Sequence, residues 1–146
     1  VGPRRSGAVN FLGTGALPAN LVISDGPTFN YGSVVATASV DKSFTVTNTG
    51  NIPATTIVAS GLAAPFDFKG GSFPGTGGNC SSTLAAGASC TMVVTFNPST
   101  TGLATDTIVL DYDDGTGAAQ STRNIQGTGA TPAALSISDG PGYDYG

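Results

Sequence analysis

Residues 84–112 read LAAGASCTMVVTFNPSTTGLATDTIVLDY, and this stretch decides the fold. Within it, residues 91–96 alternate, with Met92, Val94 and Phe96 on one face. Residues 104–112 alternate too, placing Ile108, Leu110 and Tyr112 together. Side chains of that period line one surface of a pleated strand, so each run predicts a half-buried strand. Residues 85–89 form a turn before the first run, and NPSTTG at 97–102 is a turn between them.

The same grammar extends outward in both directions. KSFTVTN at 42–48 points Phe44 and Val46 one way and Ser43, Thr45 and Thr47 the other, then meets the turn Thr49-Gly50-Asn51. TTIVA at 55–59 and FDF at 66–68 read as further strands. LVIS at 21–24 is a short apolar strand ended by Asp25-Gly26-Pro27. Residues 29–34 continue it, and Pro27 suits an edge strand or a switch between sheets. Residues 113–117 are a Gly/Asp hairpin turn, and residues 121–127 are the last strand. The prediction is an all-β, Ig-like β-sandwich of seven to eight antiparallel strands. It is Ig-like in architecture only, since Trp is absent and the two cysteines are too close in sequence to bridge distant strands as in antibody domains.

Composition agrees. All nine acids are Asp, and Glu, His and Trp are missing. A chain poor in Glu and Lys and rich in Gly favours strands and turns over helices. The net charge of −4, with no basic cluster, argues against nucleic acid or an anionic membrane as partner. No run approaches the roughly 18 apolar residues that a membrane helix needs.

The chain also repeats itself. NFLGTGALPANLVISDGPTFNYG at 10–32 and NIQGTGATPAALSISDGPGYDYG at 124–146 are identical at 15 of 23 positions, at an offset of 114 residues. A repeat of domain length points to a tandem array. The expected division is 1–18 as tail strand and linker of a preceding unit, 19–132 as one complete sandwich, and 133–146 as the first strand of the next. In this reading 128–134 is a linker, stiffened by Pro132 as Pro18 stiffens the first copy, and loosened by Gly127 and Gly129. The partial units at the two ends make head-to-tail self-association an expectation.

Few residues offer chemistry. Without His, the commonest general base is gone, and Ser-His and Cys-His nucleophiles are impossible. Gly75-Thr76-Gly77-Gly78 lacks the strand-to-helix setting of a phosphate loop. Cys80 and Cys90 have no third ligand for zinc and no CxxC spacing. A disulfide is the best reading, which implies an oxidising compartment; two reduced buried thiols are the alternative. Asp111, Asp113 and Asp114 are the one metal candidate, as oxygen ligands for Ca²⁺, against the plainer reading of a solvated type I′ turn. Asp41 beside Lys42, with Lys69 elsewhere, raises a Lys–Asn crosslink against a solvated Lys. Asn79-Cys80-Ser81 is formally a glycosylation acceptor. Tyr31, Phe66, Phe68 and Phe73 form either an exposed ligand patch or core packing. Three turns, at 48–53, 80–90 and 113–117, are expected at one pole, facing the linker at 13–20.

Taken together, FNYG (29–32), FTVTNTGNIPATTIVAS (44–60), APFDF (64–68), the two cysteines with nine residues between them around LAAGASC (84–90), VTFNPSTTG (94–102) and GTG (127–129) resemble the abnormal-spindle/Hydin-type Ig-like repeat, of the bacterial choice-of-anchor D kind. Ala86 departs from the family's usual Pro before Gly87. The resemblance implies a repeated sandwich in large bacterial surface or secreted proteins, with no catalytic residues and no cofactor. The function it implies is a non-catalytic stalk or spacer that supports adhesion, at the cell surface or outside the cell, with the periplasm also open. Its partners are neighbouring repeats. The alternative is a multivalent module that itself binds a glycan or protein on a host, prey or matrix surface.

Overall fold

The computed structural model describes residues 2–3, 13–138, 142 and 144–146. Most of the 1–18 segment expected as the tail of a preceding unit lies outside these residues. Eight strands follow one another: β1 (Leu21–Ile23), β2 (Thr28–Val35), β3 (Val40–Asn48), β4 (Thr55–Ser60), β5 (Phe66–Phe68), β6 (Ser89–Phe96), β7 (Gly102–Asp113) and β8 (Ala118–Ala130). They form two four-stranded sheets, ordered β1-β3-β6-β5 and β2-β8-β7-β4. The all-β sandwich read from the sequence is the fold.

The two sheets face each other through the alternating apolar positions. Phe44 and Val46 of β3 and Met92, Val94 and Phe96 of β6 meet Ile108 and Leu110 of β7 and Ile125 of β8. Fully burying one such side chain stabilises the fold by about 1.5–3 kcal/mol, and this interior holds the sheets together. At one end of it Phe66 and Phe96 stack at 4.9 Å, and Tyr31 lies 5.5 Å from Phe96. The Tyr31 hydroxyl donates to Val94 O at 3.0 Å. Burial, helped by the Asp41 charge, pushes its phenol well above the ordinary range, so it stays neutral.

One pair departs from the expected antiparallel pattern. β2 runs parallel to β8, with a bulge between Asn30 and Ser33. The cause is the switch at Asp25-Gly26-Pro27. β1 pairs with β3 in one sheet, and the chain then crosses to the other sheet without reversing. Pro27 has no N–H to lose from a ladder at that crossing. Arg123 of β8 spans the gap, its guanidinium donating to Ile23 O. Gly26 lets the guanidinium lie there, since a Cβ on it would displace the Arg123 head group.

The strand β8 also corrects the linker. It runs to Ala130, three residues into the segment expected to be loose. Gly127 and Gly129 are buried: a Cβ on Gly127 would lie 2.5 Å from the Phe96 ring, and one on Gly129 would overlap Thr100 O. These glycines serve close packing and not bending. After Ala130 the described chain forms no strand as far as Ser138.

Candidate functional site

The three turns expected at one pole meet there. Leu17–Asn20 crosses that pole and is fixed by backbone hydrogen bonds to two of the turns. Ala19 N–H donates to Asp114 O at 2.9 Å, Asn51 N–H to Leu17 O at 3.1 Å, and Thr49 N–H to Asn20 O at 2.8 Å. Gly50 admits this crossing, because a Cβ there would overlap Pro18 O. The Tyr112 hydroxyl accepts from Leu21 N–H at 3.2 Å and so ties the start of β1 to β7.

At the centre sits Asn48, a wholly buried polar side chain. Its Oδ1 accepts from Asn20 N–H at 3.1 Å and from Gly50 N–H at 3.0 Å. Its Nδ2 donates to Ile52 O at 2.8 Å and to Leu84 O at 3.1 Å. One amide thus joins the arriving segment, the 48–53 turn and the loop before β6. A buried amide satisfied on both atoms fixes one arrangement, because any other leaves polar groups unpaired in the interior. In the sequence Asn48 carries one signal only, its place at the end of β3 before Thr49-Gly50-Asn51.

Cys80 and Cys90 form a disulfide, with Cα atoms 4.9 Å apart and both residues buried. Asp111, Asp113 and Asp114 are not gathered into a metal site. Among the described residues, no three acid, His or Cys side chains converge. The hairpin uses these carboxylates itself. Asp114 Oδ1 accepts from Thr116 N–H and Oγ1, both at 2.7 Å, and from Gly117 N–H at 3.0 Å. These bonds, the Thr116 hydroxyl foremost, hold the Asp114 carboxyl below its usual range. Asp113 Oδ1 accepts from Gly115 N–H, and Asp111 Oδ1 from Gln120 Nε2.

The other candidates resolve into structure. Lys42 pairs with Asp25 at 2.9 Å and lies over the Phe29 ring, while Lys69 pairs with Asp41 at 2.7 Å. Both ammonium groups face carboxylates, not the Asn partner that a crosslink requires. Asn79 Oδ1 accepts from Thr91 N–H and Oγ1, so that side chain is tied to β6. Phe66 and Phe68 are buried, and Tyr31 and Phe73 pack against the same core. The exposed aromatic patch therefore does not form.

The strand path carries a further geometric fact. β8 starts at this pole, where Ala118 pairs with Asp113, and ends at Ala130, paired with Val35. Its 13 residues span about 40 Å at the usual rise per residue. The segment 17–20 therefore arrives at one end of the sandwich, and the chain leaves at the other. Among the described residues no helix is long and apolar enough to cross a membrane.

Residues 22–128 match the HYDIN/CFA65/VesB-like Ig-like domain family. The chain belongs to that family. No curated protein matches it in sequence. Among solved structures, the VesB protease of Vibrio cholerae is similar, with TM-score 0.59 and 23% identity over 76% of this chain. The chain spans 32% of the VesB chain's length. The ASH/PapD-like domain 7 of human CEP192 is also similar, with TM-score 0.57 and 12% identity, covering 90% of this chain and 100% of that one. At these identities the likeness shows the fold alone. For this family member the inward aromatic residues and Asn48 are parts of the scaffold.

Proposed function

We propose that residues 17–130 are one unit of a tandem array, acting as a non-catalytic spacer in a bacterial surface or secreted protein and holding an adhesive part away from the surface. One observation carries this reading. In the first copy of the repeat, Gly13 and Gly15 have open space around them, whereas Ala19, Leu21 and Ile23 are buried. In the second copy the order reverses: Gly127 and Gly129 are packed, and Leu135 and Ile137 are exposed. Among the described residues, backbone hydrogen bonds to the body of the sandwich begin at Leu17, buried side chains begin at Ala19, and the last strand ends at Ala130. Counted from the first hydrogen-bonded residue, Leu17, the span to Ala130 equals the 114-residue offset of the repeat. On this reading the unit is 17–130, where the sequence led to 19–132.

Arrival and departure at opposite ends support a linear array. If residue 130 of one unit leads straight to residue 17 of the next, no free linker remains between them. The disulfide supports an oxidising compartment, outside the cytoplasm. The share of VesB that the chain spans fits a module carried within longer chains.

The test is to extend the chain past Gly146 with a second copy of residues 33–146, which completes the unit begun at 131. Solution scattering and NMR relaxation should show two folded units in one fixed, elongated arrangement. Two units tumbling independently would remove the spacer reading.

A further inference from the structure

We infer that the outgoing end of each unit docks on the arriving pole of the next, with Leu103 as the side chain that seats in the groove there. The inference rests on the array reading and names the surface that would make the array stiff.

The argument starts from chain length. Ala16 is the repeat counterpart of Ala130, the last residue of β8. Ala19 is already fixed to Asp114 of its own unit. Three residue steps separate them, which span at most about 11 Å. The outgoing end of one sandwich must therefore lie against the arriving pole of the next, whatever the orientation between them.

Both surfaces carry apolar groups with nothing over them. At the outgoing end Leu103, paired with Thr128 near the close of β8, is 69% exposed. Val35, paired with Ala130 on the other side of β8, is exposed at the same end. At the arriving pole an open groove of about 570 Å³ is lined by Pro18, Tyr112, Ala119 and Gln120, among others, with Leu17 at its rim. Leu17 is replaced by Thr131 in the second copy, while Pro18 recurs as Pro132. The proline at the groove thus recurs at the joint, and Pro18, Tyr112 and Ala119 give the groove an apolar side that can receive an apolar group. Leu103 is the most exposed of the large apolar side chains at the outgoing end, ahead of Val35 and Val40. An interface of this kind within one chain gains from effective concentration, so a small contact suffices.

The experiment uses the same extended chain. Leu103→Asp is placed in the first unit, facing the joint, or in the appended unit, whose outgoing end faces no following pole. Leu103→Ser serves as a milder second variant. Both should keep native circular dichroism, since the residue is exposed. The expected result is loss of the fixed inter-unit orientation, read by NMR relaxation and scattering, for the first-unit substitutions only. If the unsubstituted chain is coupled and first-unit Leu103→Asp leaves it coupled, the docking inference is overturned and the array reading stands. If substitution in either unit uncouples equally, Leu103 does not act at the joint. If the unsubstituted chain is already uncoupled, both readings fall.

Discussion

Leu21 and Leu135 hold the same place in the two copies of the repeat, as do Ile23 and Ile137. Leu21 and Ile23 are 3% and 1% exposed, Leu135 and Ile137 98% and 89%. The flanking sequence is nearly the same, LVISDG against LSISDG. What differs is the neighbour. β1 has β3 beside it, with Leu21 opposite Asn48 and Ile23 opposite Val46. Residues 135–137 have no such partner among the described residues. The comparison teaches that this three-residue strand has no structure of its own. It is made by the sheet it joins, as expected where strand preference reflects packing more than intrinsic backbone bias.

The largest effects should separate the two copies. Ile23→Ala removes buried methyl groups from the core and should cost about 2–5 kcal/mol in chemical denaturation. Ile137→Ala, the same change in the open copy, should stay within about 0.5 kcal/mol. Equal effects would break the comparison.

Asn48→Ala should come next. It leaves Asn20 N–H and Gly50 N–H without their acceptor and should cost about 1–3 kcal/mol. Hydrogen exchange should quicken at residues 20–23 before it quickens in β6, making the first copy behave more like the second. The GTG motif gives the mirror-image test. Gly127→Ala forces a methyl group against the Phe96 ring and should cost about 1–3 kcal/mol, by overpacking. Gly13→Ala meets open space and should change the melting midpoint little.

The smallest effect concerns pH. The Ser24 hydroxyl and then Lys42 hold the Asp25 carboxyl below its ordinary value of 3.8. Lys69 and then Thr95 do the same for Asp41. A lowered native value means the stabilisation is complete above the unfolded value and is lost as pH falls through the native one. Both groups are largely solvated, so screening keeps the contribution small. Melting temperature should fall between about pH 5 and pH 2, and Asp25→Asn should flatten part of that slope.

Much of this was legible because strand period and turn chemistry are local. The inward faces of β3, β6 and β7 follow from alternation alone, and the sharing of one pole by three turns follows from strand order. What escaped the sequence depends on long-range placement. Asn48 looks like an ordinary turn residue until Ile52, Leu84 and Asn20 surround it. Arg123 looks like a solvated strand charge until the β1–β2 switch brings Ile23 O to it. Gly127 and Gly129 look like a flexible linker because glycine marks both looseness and tight approach, and only the Phe96 ring and Thr100 decide between them. The parallel β2–β8 pair was hidden for the same reason: a sheet switch leaves no mark on period.

The most direct measurement is hydrogen exchange at residues 135–137 in the chain as it stands and in the chain extended by residues 33–146. Residues 17–130 as a repeating unit require these amides to exchange freely in the first and to gain protection matching residues 21–23 in the second. Free exchange at 135–137 in the extended chain, with the appended strands folded, would contradict the account.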